Sequence, residues 1–399
     1  MFSLESYREY FPQLRNGLIF LDSATSSLIP SVSINKMTDF YHQFGGAVPV
    51  GVHSFAEEAD HQLKLARKRI SKLLGASSQN LAFTSGLSYN LSIILHGLNF
   101  QKGERILTSL QEQHSVLLPL LQLKKQLGVA IDFIEDDDQE EITTETIGDK
   151  VTPTTRLVVL SHASLLNGQL RDIPSLTKIV HQRGALLFID ASHSLMRTPL
   201  KFSEWDLDFL SCCSSLGFMA PTGIGFLLVR KELGDQFSPL LVGNHSAREV
   251  SRETFSPASY PLGLEPDLMD IGKLVALLSS LSLLEEMKLT RIMQNERQLG
   301  KIIKEELLGH SKITLYEPPS DHRVGIYSFN VEGMNALDLS YILNESEKII
   351  VRGGSLCAIP LMDLLGVDGV ARASLSPIND QQDITTFTQT LELIAQELA

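Results

Sequence analysis

Seven short apolar runs, separated by longer stretches of helical periodicity, constrain this chain more than any other feature. They fall at 81–84, 105–108, 129–134, 157–160, 186–190, 209–210 and 225–229, with helical patterns at 57–74, 115–126 and 174–183 among them. Such alternation predicts an α/β fold with a mostly parallel sheet covered by helices. A stretch marked by Pro and Gly over 256–263 then precedes a long helical pattern from about Asp267 to Leu299. That punctuation divides the chain into a large unit, 16–258, and a smaller C-terminal unit, 259–399, with the first 15 residues expected to pack on the later one. At 399 residues and 43% apolar content, there is ample material for two such cores. The run Leu274-Val-Ala-Leu-Leu278 reads as a buried helix of the second unit.

Charge and cysteine usage exclude several function classes. A net charge of −13 argues against a generic binder of phosphate backbones, so no nucleic-acid partner is expected. The acidic cluster over 135–138 reads as a solvated loop. Cys212 and Cys213 are adjacent and Cys357 is distant, which makes neither a disulfide scaffold nor a repeated zinc pattern, and no metal is expected. Acidic residues interrupt the N-terminal stretch MFSLESYREYF, and no clear spanning segment follows, so the expectation is a soluble cytoplasmic protein without a membrane partner.

The chemistry centres on Ala185-Leu-Leu-Phe-Ile-Asp190. An apolar strand ending in Asp puts a carboxylate at the C-terminal edge of a buried sheet, where open α/β folds bind ligands. Asp190 there either pairs with a ring nitrogen, polarises a histidine, or caps the next segment. Downstream lies Pro221-Thr-Gly-Ile-Gly225, and between Lys201 and Lys231 there is no lysine.

These segments, together with Leu21-Asp-Ser-Ala-Thr-Ser26, Gly51-Val-His53, Phe83-Thr-Ser-Gly86, Glu112-Gln-His114, Val351-Arg-Gly-Gly-Ser-Leu-Cys357 and Arg372-Ala-Ser374, occur in a fixed order over about 350 residues. In that order the chain resembles the class V aminotransferase family of pyridoxal-phosphate (PLP) proteins, and within it the cysteine desulfurases and selenocysteine lyases. The resemblance implies the PLP-dependent transferase fold type I, with a large domain around a mostly parallel seven-stranded sheet and a smaller α/β C-terminal domain. It implies a homodimer as well. Cys357 falls where the family carries its persulfide-forming cysteine, although the two histidines expected before it are Ser355 and Leu356; a buried, inert thiol is the rival reading. Arg372 corresponds to the arginine that binds the substrate carboxylate, with an inter-segment salt bridge as its rival.

The cofactor positions depart further from the family pattern. Counting back from Pro221 places the Schiff-base lysine at Leu216 or, with a one-residue gap, at Gly217, and neither side chain forms an imine or transfers a proton. The ring-stacking histidine matches Gln113, the asparagine near the phenolic oxygen matches Leu165, and the glutamine after the aspartate matches His193. In the phosphate loop Gly-Thr-Thr becomes Gly86-Leu87-Ser88, and the phosphate-binding histidine becomes Ser215. Gly86, Ser88, Gln113, Asp190, His193 and Ser215 remain as candidate ligand-binding residues. The set of losses implies a desulfurase-like protein without lysine-dependent catalysis, acting as a binding, regulatory or sulfur-relay partner of a desulfurase paralogue or sulfur acceptor. The alternative is an active C–S lyase or related transferase that holds PLP or its amine form, PMP, non-covalently, with His114 or His193 as base. Both readings expect no covalent cofactor.

Overall fold

The computed structural model describes residues 5–134, 142–234, 237 and 240–397. The acidic cluster over 135–138 lies outside the described residues. All seven apolar runs form strands of one sheet: β1 (Leu81–Thr84), β2 (Arg105–Ser109), β3 (Ala130–Ile134), β4 (Thr155–Ser161), β5 (Leu186–Asp190), β6 (Phe209–Cys213) and β7 (Gly225–Val229). Their spatial order is β1-β7-β6-β5-β4-β2-β3. Only β7 runs against its neighbours; the pairings from β6 through β5, β4 and β2 to β3 are parallel. β6 runs three residues beyond the apolar pair at 209–210, because Ser211, Cys212 and Cys213 find backbone partners in Leu227, Phe226 and Gly225. The core strands are buried along nearly their whole length, as sheets covered on both faces must be.

Local chemistry sets the helix ends. Helix α1 spans Ser31–Phe44. Helix α2 (Ser54–Leu73) starts three residues before its apolar pattern, because the His53 side chain accepts the Ala56 N–H. Helix α3 (Leu87–Gly97) follows Gly86, whose φ of 141° is one that side-chain-bearing residues rarely adopt. Helix α4 (His114–Leu127) closes on left-handed Gly128. Helix α5 (Ile173–Gln182) is capped by the Asp172 carboxylate, and α6 (Ile271–Met287) by Asp270.

Helix α6 departs from the sequence reading, which placed Leu274–Leu278 in the second unit. Its apolar residues surround it nearly completely, and they pack in one core with Phe40 of α1 and Ile70 of α2, on the side of the seven-stranded sheet. A helix apolar all round needs neighbours on every face, and α1 and α2 supply those that a single small sheet does not.

A second sheet is four-stranded and antiparallel. It comprises β8 (Ile313–Leu315), β9 (Ile326–Val331), β10 (Arg352–Gly354) and β11 (Val370–Ser374), in the order β8-β9-β11-β10. With α7 (Leu289–Leu307) and α8 (Gln381–Glu397) it encloses a core containing Phe329, Phe387 and Leu391. The N-terminal segment joins this side: Ile19 and Phe20 pair with Ile349 and Ile350, and Arg8 donates to the Asp383 carboxylate at 2.7 Å. Arg197 stitches the two sides together, donating to Ser23 Oγ and the Leu375 carbonyl at 2.7 Å each and facing the buried Glu296 at 3.5 Å. Among the described residues no helix is long and apolar enough to cross a membrane.

Candidate functional site

A pocket of about 450 Å³ opens beyond the C-terminal ends of β5 and β6, with Gly86, Ser88, Gln113, Ser192, Ser215 and Leu216 in its wall. At one end α3 begins. The first N–H groups of a helix lack intrahelical partners, and the dipole adds partial positive charge, so Gly86 to Ser88 together with the Ser88 and Ser215 hydroxyls form a setting for an anion. Gly225 passes beneath this corner so closely that a Cβ on it would lie 2.4 Å from the Gly86 nitrogen.

Asp190 ends β5 and is 1% exposed. Burial pushes its pKa up to about 6, opposed by hydrogen bonds from Ser192 and Gln113. Oδ1 accepts from the Ser192 N–H at 3.0 Å and from Ser192 Oγ at 2.6 Å, while Oδ2 accepts from Gln113 Nε2 at 3.1 Å. The capping role and the side-chain pairing role considered for Asp190 are thus combined, one on each oxygen.

Arg372, on β11, is 4% exposed. Its guanidinium donates to the Leu165 carbonyl and to Thr25 Oγ1, each at 3.1 Å, and its Nε is without a partner. Burial lowers its pKa to about 10, with Asp22 and Cys357 acting in the opposite sense. Thr25 itself lines the pocket, so Arg372 stands directly behind that wall. His193 is buried, with Nδ1 unpartnered, and burial pushes its pKa down to about 3, helped by the charges of Arg372 and Arg197. It is a neutral imidazole outside the pocket lining.

Cys357 is exposed, which removes the buried-thiol reading. It and Leu356 take left-handed φ values of 55° and 52°, a conformation that costs on the order of 1–3 kcal/mol for each non-Gly residue. Two hydrogen bonds hold the turn. Ala358 N–H donates to the Ser355 carbonyl at 2.8 Å, and His114 N–H, at the start of α4, donates to the Cys357 carbonyl at 2.7 Å. His114 thus meets Cys357 through its backbone, and it does not line the pocket.

No lysine is among the described residues of the pocket wall. Of the two positions counted back from Pro221, Leu216 is in the wall and Gly217 is not; a Cβ on Gly217 would lie 2.2 Å from the Leu195 carbonyl oxygen. The ammonium of Lys273 would lie 3.5 Å from a Cβ on Gly223, at the pocket's edge, but its own neighbour is Asp270 at 4.0 Å.

Sequence reasoning gave no role to Ser192, Thr25 or Cys213, all of which line the pocket. Ser192 had a signal, since a strand-ending Asp commonly accepts the backbone N–H two residues on in an Asx turn. Cys213 had none, because a thiol at the end of β6 enters the wall only through the sheet's register. Glu112 is also a support. Fully buried, it accepts from the Ser161 N–H at 2.9 Å and from the Ser161 hydroxyl, and it faces Arg171 at 3.5 Å.

The family model for class-V aminotransferases matches residues 19–387. A probable cysteine desulfurase of Pyrococcus abyssi is 31% identical over 397 residues, covering 99% of this chain and 98% of that protein. The apo structure of a cysteine desulfurase from Thermococcus onnurineus NA1, also 31% identical, superposes with a TM-score of 0.94 over 100% of this chain and 99% of its own. At 19% identity and a TM-score of 0.86, covering 96% of this chain and 98% of its own, a mutant of the protein C-DES shares the fold; in that mutant's structure glycine is covalently linked to the PLP cofactor. With the same seven-stranded sheet and end-to-end similarity, this chain belongs to the class-V aminotransferase family, on its cysteine desulfurase-like side.

Proposed function

We propose that this chain keeps the desulfurase scaffold without lysine-dependent chemistry, and acts by binding and by relaying sulfur through Cys357. The observation that carries this reading is the wall at residue 216. An alkyl side chain stands at one candidate lysine position, and the other, Gly217, has no room for a side chain. Leucine forms no imine and moves no proton.

PLP suits this pocket at one end only. The start of α3 with Ser88 and Ser215 matches a phosphate, but the carboxylate oxygen that a protonated ring nitrogen would use already has Gln113 at bonding distance, and the described wall offers no amine. Lyase chemistry with a histidine base is disfavoured as well, because neither His114 nor His193 is in the lining and His193 is held near pKa 3.

Relay needs no cofactor in this chain. The Cys357 thiolate attacks the terminal sulfur of a persulfide on an active desulfurase; the donor's S–S bond breaks, its cysteine leaves as thiolate, and Cys357 carries the new persulfide. Exposure of Cys357 favours such a step. The test is to mix the purified chain with an active cysteine desulfurase and cysteine, and then to weigh the intact chain. Gain of one sulfur atom, lost in Cys357→Ser, is expected. Alanine and sulfide released from cysteine by the chain alone would overturn the non-catalytic reading, and no sulfur uptake would overturn the relay.

A further inference from the structure

Gln113 makes a contact that changes what the pocket selects. Asp190 is buried and its two oxygens accept three hydrogen bonds, all from this chain's own Ser192 and Gln113. The wall otherwise presents hydroxyls from Thr25, Ser85, Ser88, Ser115 and Ser215, and among the described lining residues none carries a charged side chain. Behind the anion end, outside the pocket lining, Thr84 Oγ1 is buried and unpartnered, and a Cβ on Gly225 would meet it at 2.6 Å and the Gly86 nitrogen at 2.4 Å.

We propose that Gln113 is the specificity-determining residue of this pocket: its carboxamide serves as an internal ligand of Asp190, turning away compounds that present a cationic ring N–H and reserving the pocket for hydroxyl-rich phosphate esters. The proposal deepens the binding reading above and rests on it. A protonated pyridine seeking Asp190 must displace the Gln113 amide from a buried carboxylate, leaving that amide without its acceptor. Hydrogen bonds to charged groups of this kind change binding by about tenfold to a hundredfold. A polyol phosphate has no such demand; its hydroxyls exchange bonds with serine side chains, and its phosphate meets the start of α3.

Calorimetric titration of the full chain with PLP and, separately, with glycerol 3-phosphate tests this, alongside Gln113→Ala and the double variant Gln113→Ala/Asp190→Asn, each checked for an unchanged circular dichroism spectrum. The wild type is expected to bind glycerol 3-phosphate at least as tightly as PLP. Gln113→Ala is expected to gain about tenfold or more for PLP with little change for glycerol 3-phosphate, and the added Asp190→Asn to cancel that gain. Gln113→Leu, which fills the volume without donating, repeats the comparison should the alanine variant fail to fold. A wild type that prefers PLP, an unchanged PLP affinity on removing the amide, or no binding of either compound to any of these proteins would overturn the proposal. Turnover of cysteine by the wild type would instead sink the non-catalytic reading, leaving the affinity ratio to be judged separately.

Discussion

At the scale of the residue, Asp190 shows what burial at the end of a strand does to a carboxylate. Its pKa is raised from an ordinary 3.8 to about 6, so the folded state holds a proton that the unfolded chain has already released. The resulting stability is present in full below the unfolded value and is lost as pH rises through 6. Asp190→Asn removes this titration, so urea unfolding should show the variant gaining about 3 kcal/mol on the wild type between pH 3 and pH 7. A difference independent of pH would contradict the raised pKa. Residues 216 and 217 make a second pair of expectations. Gly217→Ala drives a methyl into the Leu195 backbone and should cost about 3 kcal/mol or more, whereas Leu216→Ala, in the pocket wall, should cost less in the same thermal-unfolding measurement. Asp190, Gln113 and Ser215 were legible in the sequence because motif spacing fixes their places along the chain. Their pairing was not, since the bond between Gln113 and Asp190 joins residues 77 positions apart and exists only once β5 and α4 are docked.

The strands were legible as elements because doubly covered strands are continuously apolar, whereas the helix at 271–287 was read into the wrong core. Periodicity reports how much of a helix is buried and not against what; α6 is apolar nearly all round, and only the packing with α1 and α2 reveals its neighbours. The junction of β4 with the segment before α4 carries its own prediction. Arg171 donates to the Ser161 carbonyl and faces Glu112, and both side chains are buried. Removing one member of such a pair leaves the other charge uncompensated, so Arg171→Ala should lose about 3–5 kcal/mol of stability in chemical denaturation. A loss below 1 kcal/mol would show that Glu112 is sufficiently held by Ser161 alone.

Across the whole molecule, the two cores are joined by apolar clusters and by polar groups, among which Arg197 contacts residues from four separate stretches of chain. Glu296, whose pKa burial raises, has Arg197 and the Gly325 N–H as its compensating partners. Arg197→Ala should therefore lower the midpoint of thermal unfolding and broaden the calorimetric transition into two overlapping ones, as the sheets lose one of the bolts between them. A single sharp transition would mean that other contacts couple the cores. The most consequential joint is smaller. Gln113 holds Asp190 by its side chain, and the next residue, His114, holds the Cys357 carbonyl by its backbone, with adjacent Cα atoms about 3.8 Å apart. A residue of the pocket wall and the collar of the exposed thiol therefore hang from one link of chain, and whatever pries the first loose tugs on the second, so the cavity is wired to the sulfur at its door.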